Sequence, residues 1–122
     1  MSEQIKHYQY CVNAKNIQLF SCLGLYDSEK IIDNEFLINV QVCSENPYDG
    51  QQFMDYSLIV DEVNLAFNQG EMVLETIAQT IIKNLKIKLS QAQFIEVEIS
   101  KCNPSILNYK VGQLSVKLCQ QF

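Results

Sequence analysis

The hydrophobic pattern of this chain changes period twice, and that change restricts its fold more than any other feature. Over residues 36–42, Phe36, Ile38, Val40 and Val42 are apolar with Asn39 and Gln41 between them, the alternation of a strand with one buried face. Over 74–85, Leu74, Ile77, Ala78, Ile81, Ile82 and Leu85 recur at the i, i+3, i+4 spacing of a helix with one buried stripe. Over 94–101 the period returns to two, with Ile95, Val97 and Ile99 set against Glu96, Glu98 and Ser100.

The remaining segments fill in the order. Residues 16–24, with Ile17, Leu19 and Ser21 in alternation, pair with 36–42, and the charged connection from Gly24 to Glu35 reads as a loop or a bulged hairpin connection. Ser57 is the expected N-cap of a first helix through Ile59, Val63 and Ala66, which Asn68-Gln69-Gly70 ends. Leu114, Val116 and Leu118 make a fourth strand. The order ββααββ predicts an α+β fold: a four-stranded antiparallel sheet with two helices on one face. Such a sheet has two open edges, and assembly of several subunits into a closed barrel is one way to use them.

At 122 residues, with 48% hydrophobic and 19% charged side chains, the chain reads as one domain over 1–122 with its own core. Residues 1–12 read as a flexible N-terminal extension or an edge segment. Nine lysines and no arginine stand against 14 acidic residues, for a net charge of −5. That balance argues against a nucleic-acid partner and against an anionic membrane surface, and no window is long and apolar enough to span a bilayer. The single histidine, His7, excludes a multi-histidine metal site. The cysteines (Cys11, Cys22, Cys43, Cys102 and Cys119) show no CxxC spacing and follow no secretory leader, so free buried thiols in a reducing cytosol are expected.

Four polar residues stand out as candidates for chemistry. Glu75 falls in the first turns of the second helix, where an acid ordinarily complements the helix dipole. A carboxylate there can also accept two parallel N–H bonds from a planar amidine or guanidine edge. Lys101 continues the apolar face of Ile95, Val97 and Ile99, either snorkelling at the sheet margin or held in a pocket where its pKa falls toward that of a base. Glu29, in the charged connection, reads alone as a solvated loop acid, and Tyr56 as a packed aromatic.

Taken together, the segments resemble the dihydroneopterin aldolase family from about Ile17 to Leu118. The matching pieces are Gly24 followed by Glu29 and Phe36, Asp55-Tyr56 opening a helix, Val73-Leu74-Glu75-Thr76-Ile77-Ala78, and Ile99-Ser100-Lys101-Cys102-Asn103-Pro104-Ser105-Ile106. The resemblance implies the tunnelling fold (T-fold), with a homotetrameric barrel or a stacked octamer and sites at subunit interfaces. It implies a cytoplasmic enzyme of folate biosynthesis that acts on 7,8-dihydroneopterin without metal or cofactor, releasing 6-hydroxymethyl-7,8-dihydropterin and glycolaldehyde, with side-chain epimerisation alongside.

The same resemblance implies roles for individual residues. Glu75 would grip the pterin's amino and ring N–H edge, with Leu74 and Met54 also at the substrate. Lys101 would be the general base, acting through a water on the 2'-hydroxyl. Tyr56 of a neighbouring subunit would deliver a proton, and Glu29 would orient Lys101. The sequence departs from the family at Leu23, where a histidine is usual, and at Phe53-Met54-Asp55. Two alternatives are a dihydroneopterin triphosphate epimerase, which tends to lack the Asn-Pro after the lysine, and a non-catalytic pterin-binding T-fold protein.

Overall fold

In the computed structural model, β2 (Asn34–Pro47) and β3 (Phe94–Cys102) form the centre of a four-stranded antiparallel sheet, with β1 (His7–Ser21) on one edge and β6 (Gln113–Gln121) on the other. The structure describes residues 7–21, 34–47, 54–71, 73–106 and 108–122. Two helices, α1 (Tyr56–Phe67) and α2 (Leu74–Lys88), join the second strand to the third, as the change of period predicted. A small hairpin of β4 (Ser105–Ile106) and β5 (Tyr109–Lys110) follows β3. Asn103 and Asn108 adopt positive φ around it, a conformation asparagine tolerates better than most side chains.

The alternation in the strands places one face of the sheet under the helices. Phe36, Ile38, Val40 and Val42 of β2 and Ile95, Val97 and Ile99 of β3 are buried against Ile59, Val63, Ala66 and Phe67 of α1 and Ile77, Ala78, Ile81 and Leu85 of α2. The opposite face is largely polar, carrying Asn39, Gln41, Glu96 and Glu98.

β1 begins earlier than residues 16–24 suggest, and residues 7–12 belong to the edge strand, His7 included. A bulge explains why its alternation is hard to see. The register shifts between Ala14 and Ile17, and Asn16 takes φ 57°. The extra residue brings Val12, Ala14, Ile17 and Leu19 onto the same core face although their numbers change parity. The Asn16 N–H donates to Asn39 Oδ1 at 2.7 Å, and the Asn39 amide donates to Glu98 Oε1 at 3.2 Å. Residues 22–24 of the expected first strand, and all of the 24–35 connection except Asn34 and Glu35, lie outside the described residues; these two already belong to β2.

Two expectations are corrected. Asp55, not Ser57, caps α1: its Oδ1 accepts from the Ser57 N–H at 2.9 Å and from Ser57 Oγ at 2.6 Å, and the helix begins one residue ahead of the serine. A carboxylate two residues upstream is the stronger acceptor for that orphan N–H. Cys11 and Cys43 are not free thiols but a disulfide between directly paired residues of β1 and β2, with Cα atoms 4.0 Å apart. Antiparallel pairing brings these side chains together, a proximity that linear spacing does not reveal. Cys102 and Cys119 are free, and Cys22 lies outside the described residues.

Candidate functional site

The directions of the two helices decide which candidate residues share an end of the molecule. At the C-terminal end of α2, Lys86 Nζ donates to the carbonyls of Ser90 and Ala92, both at 2.8 Å, closing the turn that leads into β3. The Gln93 N–H then donates to the Cys43 carbonyl, and β3 starts beside Cys43 at Phe94. Helix α2 and strand β3 therefore run antiparallel. Fifteen residues of helix, about 22 Å, return its N-terminus to the end of the sheet where β3 reaches Lys101.

That end holds Glu75, Leu74 and Lys101. Glu75 is exposed in the first turn of α2, beside the half-buried Leu74, which packs on the core. The helix N-cap, Val73, supplies no side-chain hydrogen bond to the first turn. The first turn thus offers backbone N–H donors next to a carboxylate acceptor, a combination suited to a flat heterocycle with donors and acceptors along one edge.

Lys101 sits on the core face of the last rows of the sheet, paired with Phe36 on one side and Leu114 on the other. Burial holds its pKa below the ordinary lysine value of 10.5, because removing water disfavours the ammonium. A lysine lowered in this way has a larger neutral fraction and is a better base near neutrality. The adjacent Cys102 shifts the other way. Burial and the neighbouring Glu35 carboxylate raise its thiol pKa, partly offset by a hydrogen bond from Gln113, so the thiolate nucleophile is disfavoured there.

Met54 and Tyr56 lie at the opposite end. The Phe67 ring, at the end of α1, meets Phe36 in the Lys101 row, so α1 extends about 18 Å away from that row to reach Tyr56. The Met54 N–H donates to the Tyr10 hydroxyl at 2.9 Å, and Tyr10 pairs with Ser44 across the ladder. Eight steps of β2 from Ser44 to Phe36 span about 26 Å. Within one chain the Tyr56 phenol and the Lys101 amine do not meet. Tyr56 itself is 69% exposed.

Glu29 lies outside the described residues, as do Leu23, Gly24 and Phe53. Among the described residues no cluster of three or more His, Cys, Asp or Glu side chains could hold a metal ion, and no helix is long and apolar enough to cross a membrane. A cavity of about 260 Å³ opens on the polar face around the β1 bulge, lined by Asn13, Lys15, Asn16, Asn39, Val40, Gln41 and Glu96 and by none of the candidate site residues. Tyr10 is the residue near the candidate site that sequence reasoning did not reach. Following the phase of Leu19 and Ile17 backward through the bulge to Ala14 and Val12 would have carried the strand to it.

Comparison with known proteins gives a consistent grouping. The family described as "FolB: Dihydroneopterin aldolase" matches residues 12–119. No curated protein matches the sequence. Among solved structures, the FolB protein of Vibrio cholerae superposes with a TM-score of 0.76 at 14% identity, covering 93% of this chain and 98% of the other. The dihydroneopterin aldolase of Burkholderia thailendensis bound to guanine gives 0.73 at 15% identity, covering 93% and 92%. The E. coli dihydroneopterin aldolase in complex with neopterin gives 0.69 at 16% identity, covering 89% and 98%. At these identities the structural matches establish the fold, and the family match carries the grouping.

Proposed function

The chain belongs to the dihydroneopterin aldolase family, and from that premise we propose that it cleaves 7,8-dihydroneopterin by a retro-aldol reaction to 6-hydroxymethyl-7,8-dihydropterin and glycolaldehyde. The observation that carries this reading is the division of the candidate residues. Glu75 and Lys101 share one end of the sheet, and Met54 and Tyr56 occupy the other. A site assembled from one chain's Lys101 end and a second chain's Tyr56 end contains a pterin clamp, a base and a proton donor. Such a site needs at least two copies of the chain, and the homotetramer or octamer that the family resemblance implies would place its sites between subunits.

The chemistry follows from the groups. Glu75 accepts hydrogen bonds from the pterin's amino and ring N–H edge, and backbone N–H groups of the first turn of α2 donate to acceptors beside it. Lys101, its pKa lowered by burial, takes the proton of the 2'-hydroxyl through a water. The C1'–C2' bond breaks, glycolaldehyde leaves, and the electron pair passes into the dihydropterin's C6–N5 imine as an enamine. Tyr56 of the neighbouring subunit then gives its phenolic proton to C1', and the proton held by Lys101 restores the phenol. Glu29 orients the lysine.

The ring supplies the electron sink, so the reaction proceeds without a metal or cofactor. Recombination of the enamine with glycolaldehyde on the other face gives the epimer, a side activity of the same site.

Purified protein incubated with 7,8-dihydroneopterin in the presence of a metal chelator, with Lys101→Ala in parallel, tests the reading by chromatography of the products. Hydroxymethyldihydropterin and glycolaldehyde from the wild type alone support it. Tight pterin binding with no product would replace it with a pterin-binding protein, and turnover confined to the triphosphate with epimer as product would replace it with the epimerase.

A further inference from the structure

The segment that carries Met54 and Tyr56 is tied to the sheet by one residue far away in sequence. The Met54 N–H donates to the Tyr10 hydroxyl at 2.9 Å across 44 positions, joining the edge strand β1 to the approach of α1. From Met54 onward the backbone is fixed. Asp55 caps the helix through Ser57, and Leu58 N–H donates back to the Asp55 carbonyl at 3.1 Å. Tyr56, between these two anchors, is 69% exposed, so its own ring contributes little to holding it in place. The position of its phenol is set by the backbone beneath it.

Tyr10 is itself firmly held. It is half-buried, and the next residue, Cys11, is bridged to Cys43 of β2. The disulfide fixes the register of the strand beside the very row from which the Tyr10 hydroxyl reaches Met54. The chain of connection runs from β2 through Cys43 and Cys11 to Tyr10, then through its hydroxyl to Met54, Asp55 and Tyr56.

We propose that Tyr10 is a positioning residue for turnover, its hydroxyl locating the start of α1 so that Tyr56 is presented in register to the Lys101 end of a second copy. The proposal rests on the retro-aldol reading above. Tyr10 touches neither substrate nor reacting atoms. Its effect passes through the Met54 amide, and misplacing a proton donor by a fraction of an ångström to an ångström slows proton delivery steeply. Loss of the hydroxyl therefore slows delivery of the proton to C1' while leaving the Glu75 clamp and the Lys101 base intact. The enamine then lives longer and recombines more often, shifting products toward the epimer.

The experiment is a double-mutant cycle on Tyr10→Phe and Tyr56→Phe in the assembled protein, following kcat, KM, product ratio and melting temperature. Tyr10→Phe keeps the ring volume and removes only the acceptor. The expected result is a fall in kcat of about ten- to a hundredfold, larger than the change in KM that displacing Met54 brings. The epimer fraction is expected to rise, and Tyr10→Phe should add no further loss in the Tyr56→Phe background. A Tyr10→Phe protein with wild-type kcat and product ratio overturns the inference alone, as does a kcat loss that multiplies fully with that of Tyr56→Phe. A wild type that does not cleave dihydroneopterin overturns the functional reading and this inference together.

Discussion

The Phe67 ring meets Phe36 with centroids 5.4 Å apart and planes tilted by 58°, an arrangement favoured by aromatic pairs. This contact pins the C-terminal end of α1 to the row of the sheet that holds Lys101, and so places Tyr56 at the far end. If each site takes Lys101 from one subunit and Tyr56 from another, two impaired variants complement each other. Lys101→Ala and Tyr56→Phe, unfolded together and refolded as a 1:1 mixture, should regain about a quarter of wild-type activity, the statistical share of sites with both residues intact. Activity assays on the mixture check this. No recovery above the two separate variants would count against a site shared between subunits.

Burial of Lys101 has consequences for rate and stability that differ in sign. As the base, it works in its neutral form, so kcat falls as pH drops below a pKa that lies under 10.5. Lys101→Ala should lose this limb along with about 10²–10⁴-fold in kcat. In the folded state the ammonium is disfavoured relative to the unfolded chain. This destabilises the protein below the folded pKa, and the cost fades as pH rises through that value toward 10.5. The stability of wild type relative to Lys101→Met should therefore rise as pH climbs through that value toward 10.5. Denaturant melts at a series of pH values measure it.

The disulfide closes a loop of 32 positions between the edge strand and the sheet's interior. Such a closure stabilises by about 2–4 kcal/mol, largely by restricting the unfolded chain. Cys11 is the exposed partner and Cys43 the buried one, so Cys11→Ser removes the bridge with the least damage to packing. A reductant should lower the wild-type melting temperature to that of Cys11→Ser and leave the variant unmoved. Mass spectrometry of a non-reduced digest should contain the peptide pair joined through Cys11 and Cys43.

Where residues interact through local period, the sequence was readable, and where they interact across strands, it was not. The stripe from Leu74 to Leu85 and the alternation from Ile95 to Ile99 each encode an element in its own spacing, and α2 and β3 appear where those patterns lie. Lys101 and Glu75 were legible in the same way, as polar residues at a set phase of a strand and a helix. The Asn16 bulge hid the outer half of β1, because one inserted residue reverses parity and makes Val12 and Ala14 look out of step with Ile17 and Leu19. The Cys11–Cys43 bridge and the Tyr10–Met54 hydrogen bond depend on register between distant segments, which no local spacing encodes. Tyr56 was legible as a residue, but its distance from Lys101 follows from the direction of α1 and not from the sequence.

Between the helices, Glu62 has a side chain only 3% exposed and forms an ion pair with Lys88, whose side chain is 44% exposed. The carboxylate is the buried partner, and the lysine reaches it from the last turn of α2, where a cation also suits the helix dipole. Removing the lysine strands a charge in the interior, which costs more than the pair gains by forming. Lys88→Met should destabilise the protein by about 2–3 kcal/mol, less than for a fully buried pair because the lysine head is half in water. Glu62→Gln should cost less, since the neutral amide needs no counter-charge. Adding Glu62→Gln to Lys88→Met should recover part of the loss. Urea melts of the three variants decide it. A double variant no more stable than Lys88→Met would mean that the lysine contributes through packing of its stem and not by neutralising Glu62.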